Sequence, residues 1–147
     1  MYKGIIIAGV IVLVLVGGGL FIANQQSQNA EQTKMVKNDN TSRYVEYSKA
    51  ALDQSVAKRR VLYFYATWCP SCKVANEDFT ANPNKIPEDV VVIRTNYNDP
   101  NTAQEERDLA KKYGITYQHT FVQIDGQGKE ITKWNGGKTD ELLANIK

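Results

Sequence analysis

Apolar and polar positions divide the chain into three stretches. Ile5–Ala23 (IIIAGVIVLVLVGGGLFIA) carries 15 apolar residues in 19 and no charged or hydrogen-bonding side chain. At ~1.5 Å per residue, a helix of that length reaches ~28 Å, close to the ~30 Å hydrocarbon core of a bilayer. From residue 24 to 42 only three residues in 19 are apolar. This tract has no periodicity and too little apolar surface to offset its ordering entropy, so it predicts a polar linker. From 43 to 147 the apolar count is 42 in 105, an ordinary globular fraction, and the stretch is sized for one domain.

Within that domain Tyr44, Tyr47, Ala51, Leu52 and Val56 recur at helical spacing, with Thr41 or Ser42 as N-cap and Lys58-Arg59-Arg60 as a cationic close. Val61–Ala66 (VLYFYA) is a continuous apolar run, as expected of a central strand buried on both faces. A helix is predicted from Cys69 to Thr80, then a loop through Asn82-Pro83-Asn84 and Pro87. Asp89–Thr95 predicts a second buried strand, and Ala103–Tyr113 an amphipathic helix closed by Gly114 at its C′ position. Thr120–Asp125 and Glu130–Trp134 form two short strands around Gly126-Gln127-Gly128, a hairpin signal. Thr139 or Asp140 then caps a last helix bearing Leu142, Leu143 and Ile146. Alternating helices and strands followed by a hairpin predict an α/β fold, a mixed central sheet with helices on both faces. Glu105-Glu106-Arg107-Asp108 and Lys111-Lys112 read as a solvated helix face with i,i+4 pairs.

The apolar N-terminal run exceeds the ~7–15-residue core of a cleaved signal peptide. A small-x-small cleavage site is hard to place, because Phe21 lies two before Ala23. The expectation is an uncleaved signal-anchor over 1–23, one transmembrane helix with the N-terminus cytoplasmic, because the tail before Ile5 is short. The flanking charges do not settle orientation: Lys3 lies on one side and Lys34, Lys37 and Arg43, with Glu31 and Asp39, on the other. Net charge is only +2, with 18 basic residues spread along the chain, so no nucleic-acid partner is expected.

The chemistry lies in Cys69-Pro70-Ser71-Cys72, which contains both cysteines of the chain, directly after a buried strand and at the start of a helix. A thiolate at Cys69 would meet free backbone N–H groups and the positive end of the helix dipole. Thiols so placed have pKa values of ~3.5–7.5 in place of ~8.5. Cys72, one turn on, is within reach to attack a mixed disulfide at Cys69. Pro70 suits the first helical turn because it has no N–H to satisfy, and Trp68 would wall one side of the sulfur. A structural disulfide in so short a loop would remove little unfolded-state entropy. A structural zinc site needs four ligands, whereas the chain has two cysteines and one histidine. Covalent haem attachment needs a histidine at 73, where Lys73 stands.

YFYATWCPSCK, the later KKYGI and the Thr120–Gly137 hairpin together resemble the thioredoxin superfamily over about Arg43–Lys147. With an N-terminal anchor, the whole is similar to bacterial extracytoplasmic thiol–disulfide oxidoreductases. The resemblance implies Cys69 as exposed nucleophile, Cys72 as buried resolving thiol, and no cofactor beyond their disulfide. It also implies partners that are protein dithiols and disulfides, with a membrane-embedded electron donor or acceptor. Two positions depart from the family pattern. Tyr63 stands where thioredoxins carry a buried acid, so that proton acceptor is missing, or a water or the phenol replaces it. His119 stands at the cis-proline position of Tyr113-Gly114-Ile115-Thr116-Tyr117-Gln118-His119-Thr120. A cis peptide without proline costs ~2.5–4 kcal/mol, so a trans Gln118–His119 bond is expected, with the substrate-facing backbone of Gln118–Thr120 reshaped.

His119 is open to three readings: a redox-tuning acid or base beside the dithiol, a bystander, or the third ligand of a copper or zinc site with Cys69 and Cys72. The last defines an alternative function as a metal-binding or delivery module, although no metal is expected. Trp68, Pro70, Ser71 and Tyr63 complete the set of tuning or substrate-contacting residues.

Overall fold

The computed structural model describes Ser42–Lys147, so the Ile5–Ala23 span and the polar tract up to Thr41 lie outside the described residues. Among the described residues no helix is long and apolar enough to cross a membrane.

Two continuous apolar runs form the centre of the sheet, β2 (Arg59–Tyr65) and β3 (Val90–Asn96), paired in parallel. Both are buried on both faces, which is why neither alternates. The hairpin β4 (Thr120–Ile124) and β5 (Glu130–Asn135) joins β2 antiparallel through β4. A short strand β1 (Tyr44–Glu46) runs parallel to β3 and completes the order β1-β3-β2-β4-β5. The α/β mixed sheet is therefore present, with one more strand than the sequence pattern predicts.

The helices divide between the two faces. Odd-numbered side chains of β2, Val61, Tyr63 and Tyr65, pack with Val90, Val92 and Phe121 against Cys72, Ala75 and Phe79 of α2 (Pro70–Ala81). Leu142 of α4 (Thr139–Asn145) joins that layer. Leu62 and Phe64 point the other way, onto Leu52 of α1 (Lys49–Gln54) and Leu109 and Ala110 of α3 (Gln104–Lys112). The period of two along β2 thus assigns alternate residues to two separate cores.

The N-terminal segment corrects the sequence reading. Tyr44–Glu46 is a strand, and α1 begins only at Lys49, capped by Ser48, whose Oγ accepts the Ala51 N–H at 3.0 Å. Ser42 does not cap it, and Thr41 lies outside the described residues. Arg59 and Arg60 open β2 where a helix terminus was expected. Arg60 is buried, donating from Nη1 to the Leu52 carbonyl at 3.2 Å and from Nη2 to that of Asp125. Tyr44 and Tyr47 imitate a helical spacing because a three-residue edge strand is too short to show its alternation. It forms because β3 offers it an unpaired edge.

Two further readings change. Glu106, assigned to a solvated face, is only 4% exposed; its carboxylate accepts the N–H of Asn96 at 2.7 Å and of Ala103 at 2.8 Å, tying the start of α3 to the end of β3. The N-cap of α4 is Lys138, and Thr139 is its first helical residue. Gly114 does stand just past α3 with φ 59°, and Ile115 N–H reaches back to the Ala110 carbonyl at 2.8 Å.

Candidate active site

β2 ends at Tyr65 and a tight turn, with Cys69 N–H on the Ala66 carbonyl at 3.2 Å, delivers the chain into α2. Cys69 is the N-cap of that helix, with φ −89° and ψ 113°. Its Sγ accepts the Cys72 N–H at 3.2 Å, the bond an N-cap side chain makes to the third helical residue. Pro70 fills the first helical position, as expected. Cys69 and Cys72 are joined as a disulfide across a Cα–Cα distance of 5.2 Å. Cys69 is 2% exposed and Cys72 0%, so the exposed nucleophile implied by the resemblance is, in the disulfide form, a buried one. Both sulfurs sit in the apolar layer of Tyr63, Tyr65 and Phe121.

Tyr63 lies behind Cys72 and donates its hydroxyl to the Cys72 carbonyl at 3.1 Å. Burial pushes this phenol far above the ordinary tyrosine range. It is a donor that stays protonated, not a base replacing the missing acid.

His119 faces Cys69 from the loop before β4. No cis peptide occurs among the described residues, so Gln118–His119 is trans. His119 instead takes φ 60°, a left-handed conformation uncommon outside glycine. The surroundings fix it there: its N–H donates to Phe64 O at 2.7 Å, and its carbonyl accepts Gly136 N–H at 2.8 Å and Asn135 Nδ2 at 2.9 Å. Asn135 Nδ2 also meets the Gln118 carbonyl at 3.2 Å and Thr120 Oγ1 at 3.2 Å, and Thr120 Oγ1 donates to Tyr117 O at 3.0 Å. The loop backbone is therefore reshaped around internal partners. The imidazole lies beside the Tyr63 ring at 5.8 Å between centroids and places Nδ1 3.0 Å from Ser71 Oγ and Nε2 3.0 Å from Gly137 O. Ser71 Oγ is in turn 3.3 Å from Cys69 Sγ.

Cys69, Cys72 and His119 do not form a metal-ligand set here. Among the described residues no group of three His, Cys, Asp or Glu side chains could hold a metal ion, and both imidazole nitrogens already have partners.

Three contributors escaped the sequence reading. Asp99 accepts the Thr67 N–H at 2.6 Å, steadying the turn before Cys69, and hydrogen bonding from Thr67, side chain and backbone, holds its carboxyl below the usual range. Asn98 accepts at its carbonyl, at 3.0 Å, the indole N–H of the half-exposed Trp68, which the sequence had already assigned to the site. Gly137 supplies the carbonyl that orients His119. Asn98 and Asp99 signal only a turn in sequence, and Gly137 only a glycine before a helix, because their partners are remote along the chain.

A mixed five-stranded sheet carrying a cystine at the N-cap of a central helix defines a dithiol/disulfide class of α/β protein. Residues 48–146 match the family model described as a thioredoxin-like domain, and the chain belongs to that family. It is similar to the chloroplastic F-type thioredoxin of Brassica napus (40% identical over 88 residues, covering 58% of this chain and 43% of that one). It is also similar to the chloroplastic thioredoxin F of Oryza sativa subsp. japonica (36% over 86 residues, 58% and 42%). The matches thus span about two-fifths of the length of these relatives. Among solved structures, thioredoxin NaTrxh from Nicotiana alata matches with a TM-score of 0.52 at 26% identity, covering 72% of this chain and 95% of that one.

Proposed function

We propose that the protein is a membrane-tethered thiol–disulfide oxidoreductase acting on extracytoplasmic proteins through Cys69 and Cys72. The observation that carries this reading is the Cys69–Cys72 disulfide at the N-cap of α2, where Cys72 N–H meets the Cys69 sulfur at 3.2 Å. A sulfur in that position gains from a backbone donor and from the helix dipole when it carries charge, and a stabilised thiolate is both nucleophile and leaving group.

In the reducing direction, Cys69 thiolate attacks one sulfur of a substrate disulfide, forming a mixed disulfide and expelling the other substrate sulfur as a thiolate. Cys72, losing its proton to solvent, attacks Cys69 Sγ, forms the internal disulfide and releases the second substrate thiolate. Both released thiolates take up protons from water, so the substrate gains two electrons and two protons; the dithiol loses two electrons and two protons, one from Cys72 in this step and one given up earlier when Cys69 ionised. Oxidation of a substrate is the reverse sequence. Direction follows the reduction potential and the supply of partners: near ~−270 mV, the value of thioredoxin, favours a reductant, and near ~−120 mV an oxidant.

The apolar span Ile5–Ala23 supports an anchor with the N-terminus cytoplasmic and the domain outside. In that setting, electrons exchange with a membrane-embedded donor or acceptor, and the tract 24–42 lets the domain reach its partners. Cys72→Ser should accumulate mixed disulfides through Cys69 in cells, and alkaline extraction should leave the full chain in the membrane fraction. Absence of any trapped partner defeats the exchange role; release by alkali defeats the anchor.

A further inference from the structure

The hydroxyl of Ser71 stands between Cys69 Sγ, at 3.3 Å, and His119 Nδ1, at 3.0 Å. The far nitrogen, Nε2, faces the Gly137 carbonyl at 3.0 Å. A carbonyl only accepts, so Nε2 carries the proton of the neutral ring and Nδ1 is left as an acceptor aimed at Ser71. We propose that Ser71 and His119 form a proton relay to Cys69, with Ser71 as a catalytic hydroxyl touching the reacting sulfur and His119 as the positioning residue that holds the proton behind it. This deepens the exchange function proposed above and rests on it.

Each end state of the relay satisfies its hydrogen bonds. With Cys69 as thiol, S–H donates to Ser71 Oγ and Ser71 O–H donates to neutral His119. When the thiol proton moves to Oγ and the hydroxyl proton moves to Nδ1, Cys69 is a thiolate accepting from Ser71, and Ser71 accepts from imidazolium Nδ1–H. Two protons shift by one hydrogen bond each, no atom is gained or lost, and the resulting charges are opposite. The bond from Nε2–H to Gly137 O is kept in both states.

The rest of the site leaves this task to His119. From β2 the nearest titratable group is Tyr63, a phenol that keeps its proton and donates to Cys72 O. From β4 the neighbour is the apolar Phe121, at 5.8 Å between ring centroids. Around the Gly137 carbonyl the charged groups are Lys138 and Glu141, and Glu141 accepts the Lys138 N–H at 2.9 Å to close the start of α4. On α2, Asp78 is turned to Thr139, with its carboxylate 2.5 Å from the hydroxyl. Backbone geometry supports the same assignment: His119 is held at φ 60° by two backbone partners, Phe64 O and Gly136 N–H, and by the Asn135 side-chain amide, and its ring meets Ser71.

The test uses the reduced full-length chain in detergent, with Cys72→Ser so that only Cys69 reacts. The rate of Cys69 alkylation by iodoacetamide is followed against pH in this parent and with Ser71→Ala, Ser71→Thr, His119→Asn, and Ser71→Ala with His119→Asn. Asparagine tolerates positive φ, so it removes the imidazole while suiting the loop. Below neutral pH, Ser71→Ala and His119→Asn should each react about tenfold more slowly, the midpoint of the profile rising by about one pH unit. The double variant should be no slower than the slower single one, and Ser71→Thr, which keeps the hydroxyl, should follow the parent. Superimposed profiles, or losses that add in the double variant, overturn the relay. For any variant that fails to fold, the NMR titration of the His119 ring in the Cys72→Ser parent decides: it should shift when Cys69 is alkylated, and indifference refutes the proposal. Alkylation needs no partner protein, so the relay can fail while trapping succeeds, or stand while trapping fails.

Discussion

At the scale of single residues, the site works with neutral polar groups and one imidazole where the family pattern has a buried acid. Tyr63 is the clearest case. Its hydroxyl contributes one buried hydrogen bond, to the Cys72 carbonyl, and does not titrate in the working range. Tyr63→Phe should therefore cost about 1 kcal/mol of stability, read as a lower denaturant midpoint, and leave the pH profile of Cys69 alkylation unchanged. A profile that moves would return Tyr63 to the proton chemistry. The two cysteines, Pro70 and the placement of His119 opposite them were legible in the sequence. The left-handed backbone of His119 and the Ser71 hydroxyl between ring and sulfur were not, because three chain segments must be folded together before either exists.

At the scale of elements, short connections decide which side chains reach the dithiol. Gly137 has φ 102°, and a Cβ there would lie 2.3 Å from Glu141 Cβ, inside the first turn of α4. Gly137→Ala should lower stability by about 1–3 kcal/mol and displace the carbonyl that meets His119 Nε2. Thermal unfolding measures the first effect; a changed pH dependence of Cys69 alkylation measures the second. Glu106 plays a corresponding part on the other face. Glu106→Ala removes two charge-assisted bonds from a buried position and should cost about 2–3 kcal/mol, checked by urea denaturation. An isolated helical face cannot reveal this role. The i,i+4 charges of α3 look solvated until β3 presents the unpaired N–H of Asn96.

At the scale of the whole molecule, two carboxylates couple stability to pH. Hydrogen bonding from Thr139, first through its hydroxyl, holds Asp78 below the usual carboxylate range, and this bond joins α2 to α4. Thr67 does the same for Asp99 in the loop beside Cys69. Both groups are depressed in the folded state. Their stabilisation is complete above the unfolded value of about 4 and is lost as pH falls through the lower folded values. Asp78→Asn and Asp99→Asn should each be less stable than the parent at neutral pH, and the difference should shrink as acid is added. Urea midpoints from pH 7 downward check this; a constant difference would separate these carboxylates from the acid limb.

Some properties were determined by the sequence alone, because they depend on neighbours along the chain. The central strands β2 and β3 are continuous apolar runs, α2 starts at a cysteine followed by proline, and α3 stops at Gly114. Apolar run length, capping chemistry and positive-φ preference act over a few residues, so they can be read before folding. Tertiary structure decided what depends on remote partners. Tyr44–Glu46 became a strand only because β3 had an open edge, and Glu106 became buried only because Asn96 N–H needed an acceptor. The lone histidine acquired a direction only when Gly137, 18 residues on, and Ser71, 48 residues back, took up its two nitrogens. Hydrogen bonding across such separations carries no periodic trace in sequence, which is why the dithiol could be read from a four-residue motif and its relay could not.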